Sequence, residues 1–111
     1  MDWKVFYEAA RACTEVDDHM KAMEIRALLL IYRYPGILQS EVRDKLGIHG
    51  ARMNRMITLF SDVQYRTAKR DCLGLVTMRE VADDRRCKEL SLTAKGLALV
   101  HRIEHAMHKV E

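Results

Sequence analysis

Gly74-Leu75-Val76-Thr77-Met78-Arg79-Glu80-Val81, Ala82-Asp83-Asp84-Arg85-Arg86-Cys87 and Lys88-Glu89-Leu90-Ser91-Leu92-Thr93-Ala94-Lys95-Gly96 form the stretch that decides the fold. From Leu75 the helical spacing of the preceding residues gives way to two short strand-like runs, Leu75 to Val81 and Lys88 to Leu92. Between them Ala82-Asp83-Asp84-Arg85-Arg86 is a polar turn. Thr93 follows as the cap of a last helix, whose inward stripe is expected to be Leu97, Val100, Ile103, Met107 and Val110.

Working back from this hairpin, every segment reads as helix. Asp2 caps a helix with Trp3, Phe6, Tyr7, Ala10 and Cys13 on one stripe. Asp17 and Asp18 break that pattern and can cap a second helix, with Met20, Met23, Ala27, Leu28, Leu30, Ile31 and Tyr34 facing inward. Pro35-Gly36 ends it, because proline cannot continue the helical ladder. Ser40 is the expected N-cap of a short helix from Glu41 to Leu46, stopped by Gly47. After Ile48-His49-Gly50 a further helix places Met53, Met56, Ile57 and Phe60 inward and leaves Arg52, Asn54, Arg55 and Thr58 outside. Two helices joined by a short glycine-containing turn form a helix-turn-helix. Followed by a β-hairpin with two arginines at its tip, the pair predicts a mainly α chain with a β-hairpin wing: a winged helix-turn-helix.

Composition agrees and narrows the function classes. The chain has 111 residues, 49% hydrophobic and 32% charged, with one proline and five glycines. That suits one helical domain spanning residues 1–111, with terminal helices at 1–34 and 94–111 around a helix-turn-helix and wing at 39–93. Three cysteines cannot all pair within the chain, which excludes a disulfide scaffold. No apolar run approaches the roughly 18–20 residues of a membrane span. The start, Met1-Asp2-Trp3-Lys4, lacks the order of a signal peptide, so a cytoplasmic protein is expected.

The net charge of +3 is unevenly placed. Residues 1–38 hold five Lys and Arg against six Asp and Glu, and residues 97–111 hold two against two. Residues 39–96 hold twelve against eight, so all the net basicity lies in the helix-turn-helix and wing. A local positive field of this kind suits a polyanion.

Three groups of residues carry a family resemblance. Gly74-Leu75-Val76, Asp84-Arg85-Arg86 and Leu90-Ser91-Leu92-Thr93-Ala94-Lys95-Gly96 resemble the wing of the MarR-type transcriptional regulators, with matching spacing from Gly74 to Gly96. Gln39-Ser40-Glu41-Val42-Arg43-Asp44-Lys45-Leu46-Gly47-Ile48 resembles the first helix-turn-helix element of that family, and His49 to Phe60 its recognition helix. The resemblance implies a homodimer on a pseudo-palindromic operator, with recognition helices in the major groove and wings at adjacent minor grooves. It also implies repression, relieved by a small phenolic ligand or by cysteine oxidation. Two departures stand out. Ser61 to Leu73 intervenes where the family passes quickly to the wing, either extending the recognition helix or starting another at Ser61-Asp62. The sequence also ends at Glu111, which shortens the C-terminal dimerisation helices and leaves less room for a ligand pocket.

Individual residues follow from this frame. Arg52 and Arg55 are candidates for forked contacts to guanine, and Asn54 for adenine or phosphate. His49 and Ser40 suit a cap or a phosphate. Arg85 and Arg86 fit a narrow minor groove, with Arg79 and Lys88 as backbone contacts and Asp84 orienting a neighbouring arginine. Arg66, Lys69 and Arg70 either add phosphate contacts or form a solvated helix face. Cys87, between Arg86 and Lys88, is the candidate redox thiol, while Cys13 on an apolar stripe reads as structural.

His101, His105, His108 and Glu104 share one side of the last helix, but no CxxC or HExxH accompanies them, so no metal is expected. No glycine-rich phosphate loop, nucleophile elbow or evident carboxylate pair is present, so neither catalysis nor a cofactor is expected. Trp3, Phe6 and Tyr7, with Val100, Ile103 and Met107, exceed the apolar needs of one small domain and predict an isologous dimer.

The reading is a DNA-binding transcriptional repressor. Its rivals are a winged-helix protein-interaction module, or a plasmid or viral replication or architectural DNA-binding protein.

Overall fold

Gly47 fixes the joint between the two central helices. Its φ of 67° and ψ of 37° lie in the left-handed region, which glycine enters without the strain of a side chain. It closes α3 (Gln39–Leu46), donating its N–H to the carbonyls of Arg43 at 2.9 Å and Asp44 at 3.2 Å. The chain then turns through Ile48 and His49 into α4 (Gly50–Phe60). Met53, Met56, Ile57 and Phe60 are all buried, as their spacing predicts.

The computed structural model describes residues 2–62, 72–81 and 84–108, with side chains in the last stretch from residue 87 onward. The remaining elements are α1 (Trp3–Val16), α2 (Ala22–Arg33), β1 (Ile37–Leu38), β2 (Val76–Val81), β3 (Asp84–Leu92) and α5 (Ala94–His108). The chain is thus mainly α with a β-hairpin wing. Its core joins Leu28 and Ile31 of α2, Val42 of α3, Met53 and Phe60 of α4, Leu75, and Val76 and Leu90 of the sheet. α1 packs along α5, where Glu15 pairs with Arg102. No helix among the described residues is long and apolar enough to cross a membrane.

The sheet has the order β1-β3-β2 and is antiparallel throughout. β1 is absent from the sequence reading, since two residues show no period. It exists because Ile37 and Leu38 find partners in Leu90 and Glu89 of β3. The hairpin pairs Val76 with Leu92, Met78 with Leu90, Arg79 with Glu89 and Glu80 with Lys88. Beyond Glu80 the register shifts, so that Val81 opposes Asp84. β3 therefore begins at Asp84, and the backbones of Arg85 and Arg86 lie in the strand rather than in the turn expected for them.

Caps correct the expected helix starts. Asp2 does cap α1, accepting from the Lys4 N–H at 2.9 Å. Asp17 and Asp18 do not open α2; its first turn is tied by the Glu24 carboxylate, which accepts from the Lys21 N–H at 2.9 Å. Likewise α3 starts at Gln39 with Leu38 as its cap, not Ser40, because Glu41 reaches back to the Leu38 N–H at 3.3 Å. Thr93 holds the start of α5 as expected: its hydroxyl accepts from the Gly96 N–H at 3.1 Å and donates to the Gly74 carbonyl at 2.6 Å.

α5 is rotated from its expected face. Leu99, Val100, Ile103 and Ala106 are buried, whereas Leu97 and Met107 are exposed. Gly96 explains the rotation, since it lies so close to the Leu75 carbonyl that no side chain fits between them. Val110 lies outside the described residues.

Candidate nucleic-acid interface

The outer face of α4 follows directly from the burial of its inner one. With Met53, Met56 and Ile57 turned to the core, Arg52, Asn54 and Arg55 are exposed. The helix contains no Asp or Glu, and neither arginine has a hydrogen-bond or ion-pair partner among the described residues. His49 is the N-cap residue in position only, as its side chain makes no capping bond and is exposed. Free backbone N–H groups at that helix start add a partial positive charge beside the arginines.

A groove of about 370 Å³ opens between α3, α4 and the wing strands. Gln39, Ser40 and Arg43 of α3 line it on one side, Gly50, Asn54 and Thr58 of α4 on another, and Met78 and Lys88 of the hairpin on the third. Gln39 Nε2 donates to Asn54 Oδ1 at 2.7 Å, joining the first turn of α3 to the outer face of α4. Sequence reading missed Gln39 and Arg43. Their spacing of four on one helix, with Ser40 between, was the available signal, obscured by starting the helix at Glu41.

The hairpin cations are differently placed. Arg79 Nη2 lies 2.9 Å from Glu89 Oε2, and Lys88 Nζ lies 3.5 Å from Glu80 Oε1. Both are cross-strand pairs set by the register. The side chains of Arg85 and Arg86, and all of Arg66, Lys69 and Arg70, lie outside the described residues.

The segment between α4 and β2 is anchored at both ends. The N–H groups of Leu73, Gly74 and Leu75 donate to the carbonyls of Leu59, Ser61 and Phe60 at 2.8, 2.9 and 2.8 Å. The Asp62 N–H reaches the Val76 carbonyl at 3.2 Å. The chain therefore returns to the end of α4 before entering the wing, so the long connection leaves the wing fixed against the helix. Residues 63–71 lie outside the described residues, and with them the choice between an extended and a new helix.

No family model and no curated protein matches the sequence. Solved structures do match. A crystal structure of MarR superposes with a TM-score of 0.69 at 18% identity, over 89% of this chain and 64% of MarR. A MarR transcriptional regulator from Methanosarcina mazei gives 0.69 at 21% identity, over 93% of this chain and 66% of that one. Staphylococcus aureus MepR, crystallised in complex with DNA, gives 0.71 at 19% identity, over 93% and 75%. The fold is the MarR-type winged helix. The chain spans slightly less than two thirds of MarR itself.

Within this MarR-type frame the terminal helices show a divided surface. Trp3, Phe6 and Tyr7 of α1 are 68%, 66% and 58% exposed, and Met107 of α5 is 62% exposed. Trp3 and Tyr7 meet edge to face, with ring centroids 6.4 Å apart. Val100 and Ile103, grouped with them from the sequence, are instead 1% and 9% exposed and pack the chain's own core. The rotation of α5 turns Met107 outward and leaves Val100 and Ile103 on the inward face.

The cysteines and histidines do not assemble. Cys13 is buried between α1 and α5, and burial pushes its thiol above the usual range against the opposing Arg102 charge. Cys72 Sγ donates to the Thr58 carbonyl at 3.1 Å, and Cys87 is half-buried on β3. His101 stacks edge-on against Tyr32, whose hydroxyl bonds Glu104 and is pushed up in pKa by that carboxylate first and burial second. Among the described residues no three His, Cys, Asp or Glu side chains gather as a metal site.

Proposed function

We propose that this chain is a sequence-specific binder of double-stranded DNA that regulates transcription, acting as a homodimeric repressor on a pseudo-palindromic site. One observation carries the reading: α4 presents Arg52, Asn54 and Arg55 on an exposed face without a single acidic residue in the helix. A helix of this width fits the major groove, where an arginine forks onto guanine O6 and N7. His49, Ser40 and the first turn of α3 then lie where phosphates run. Arg85 and Arg86 are assigned to the adjacent minor groove, and Arg66, Lys69 and Arg70 to the backbone. MepR, with the same fold, has been crystallised with DNA, which supports the assignment.

Dimerisation is assigned to the exposed Trp3, Phe6, Tyr7 and Met107. Exposed apolar side chains of this size favour a second copy over water. Two copies related by a two-fold axis present two α4 helices to successive major grooves, hence the palindrome. Nothing in the site calls for catalysis, and no cofactor is assigned.

Selection of bound fragments from random duplex DNA at physiological salt tests the reading. Enrichment of an inverted repeat supports it. Enrichment of no sequence, with shallow salt dependence, overturns it in favour of a protein-interaction module.

A further inference from the structure

The bond between Gln39 and Asn54 does more than join α3 to α4. An exposed asparagine amide can exchange its carbonyl and amino ends by a half-turn of its last torsion, and the two orientations offer opposite hydrogen-bonding patterns. Here the Gln39 Nε2 group donates to Asn54 Oδ1 at 2.7 Å. In that arrangement Oδ1 faces α3 and the Nδ2 donors face the other side. A carbonyl oxygen has two lone pairs, and Gln39 occupies one. The amide so oriented still offers one acceptor and one donor side by side, the pair that adenine N6 and N7 require in the major groove.

The backbone of Gln39 is itself anchored. This residue is the first of α3 and follows β1, whose Ile37 and Leu38 pair with Leu90 and Glu89 of β3. Both Gln39 and Asn54 line the groove, with Lys88 of the hairpin across from them. The wing sheet thus sets the backbone position of Gln39, from which its side chain reaches Asn54.

We infer that Gln39 is a specificity-determining positioning residue: by holding the Asn54 amide in one orientation, it makes Asn54 a reader of adenine. This rests on the proposed DNA reading.

The test is selection from randomised duplexes by the full chain and by Asn54→Ala, Gln39→Ala, Gln39→Glu and Gln39→Lys variants, each first checked by thermal melting. Glutamate can only accept, so it favours the reversed Asn54 amide; lysine can only donate, so it keeps the native one. The wild type is expected to enrich adenine at one position of each half-site. Asn54→Ala loses that preference, Gln39→Ala and Gln39→Glu reduce it by about fivefold or more, and Gln39→Lys retains it. In an Asn54→Ala background, changing Gln39 has no further effect at that position. Preference unchanged in Gln39→Ala and Gln39→Glu while Asn54→Ala abolishes it overturns the inference and leaves the DNA reading standing. Preference unaffected by Asn54→Ala also overturns it. Failure of the wild type to enrich any sequence overturns the DNA reading, and the inference with it.

Discussion

Two elements that wall the groove, α4 and the hairpin, carry cationic surfaces that differ in whether their charge is already spent. On α4, Arg52 and Arg55 face outward with no ion-pair partner among the described residues. On the hairpin, Arg79 and Lys88 are each paired across the strands, with Glu89 and Glu80. An exposed pair is worth little to folding, but it cancels much of the field that a phosphate would meet. Equal counts of positive residues therefore do not mean equal attraction. The helix offers uncancelled charge, as the proposed reading requires, whereas the charges of this part of the hairpin hold its own register.

The largest expected effect breaks the helix side of that comparison. An Arg52→Ala/Arg55→Ala variant should lose roughly 2–6 kcal/mol of discrimination on the selected duplex, at about 1–3 kcal/mol per forked contact. Fluorescence anisotropy on selected and scrambled duplexes checks this, and loss equal on both would mean phosphate contact only.

Next comes the mechanical link between the two surfaces. Gly96→Ala drives a methyl group into the Leu75 carbonyl, beside the backbone bonds that fix the wing to α4. Overpacking of this kind should cost about 1–3 kcal/mol, seen as a lower melting temperature. An unchanged melting temperature would mean that α5 is not held against Leu75.

A smaller effect of opposite sign sharpens the contrast. Glu80→Gln and Glu89→Gln release Lys88 and Arg79 from their partners and should tighten duplex binding, each by up to about fivefold at low salt. The salt dependence should steepen by about one unit for each phosphate gained. If binding weakens instead, the acidic partners orient the cations for DNA rather than cancel them.

The smallest effect concerns a paired charge remote from both surfaces. Arg102 holds the Glu15 carboxyl below its ordinary pKa of 4.5, through its hydrogen bond and its charge. With the folded value depressed, the stabilisation is present above the unfolded pKa and lost as pH falls through the folded one. Melting of the wild type should therefore drop slightly more between neutral pH and pH 3 than melting of Glu15→Gln.

Much of this was visible in the residues alone. α4 could be placed because Gly47 and Gly50 bracket the turn and four apolar residues repeat at helical spacing. The hairpin could be placed because strand-like runs flank a polar turn. α5 could not be rotated correctly, since Leu97 and Met107 look as apolar as Leu99 and Ala106, and only the close approach of Gly96 to Leu75 decides between them. β1 depends on a partner more than fifty residues away and leaves no local pattern. For the site, Arg52, Asn54 and Arg55 were legible as the outer face of an amphipathic helix. Gln39 was not, because Ser40 looked like the better cap while Glu41 reaches back to Leu38. Arg79 and Lys88 were legible as cations, but their neutralisation depends on a register that only the folded hairpin supplies.

The most direct test of the account is a salt titration of binding to the selected duplex by the wild type and by Arg52→Ala/Arg55→Ala, alongside Arg79→Ala/Lys88→Ala. The account predicts that the helix variant loses most of the sequence preference, while the hairpin variant keeps it and changes affinity by only a few fold. Loss of preference in the hairpin variant, with the helix variant behaving as wild type, would contradict it.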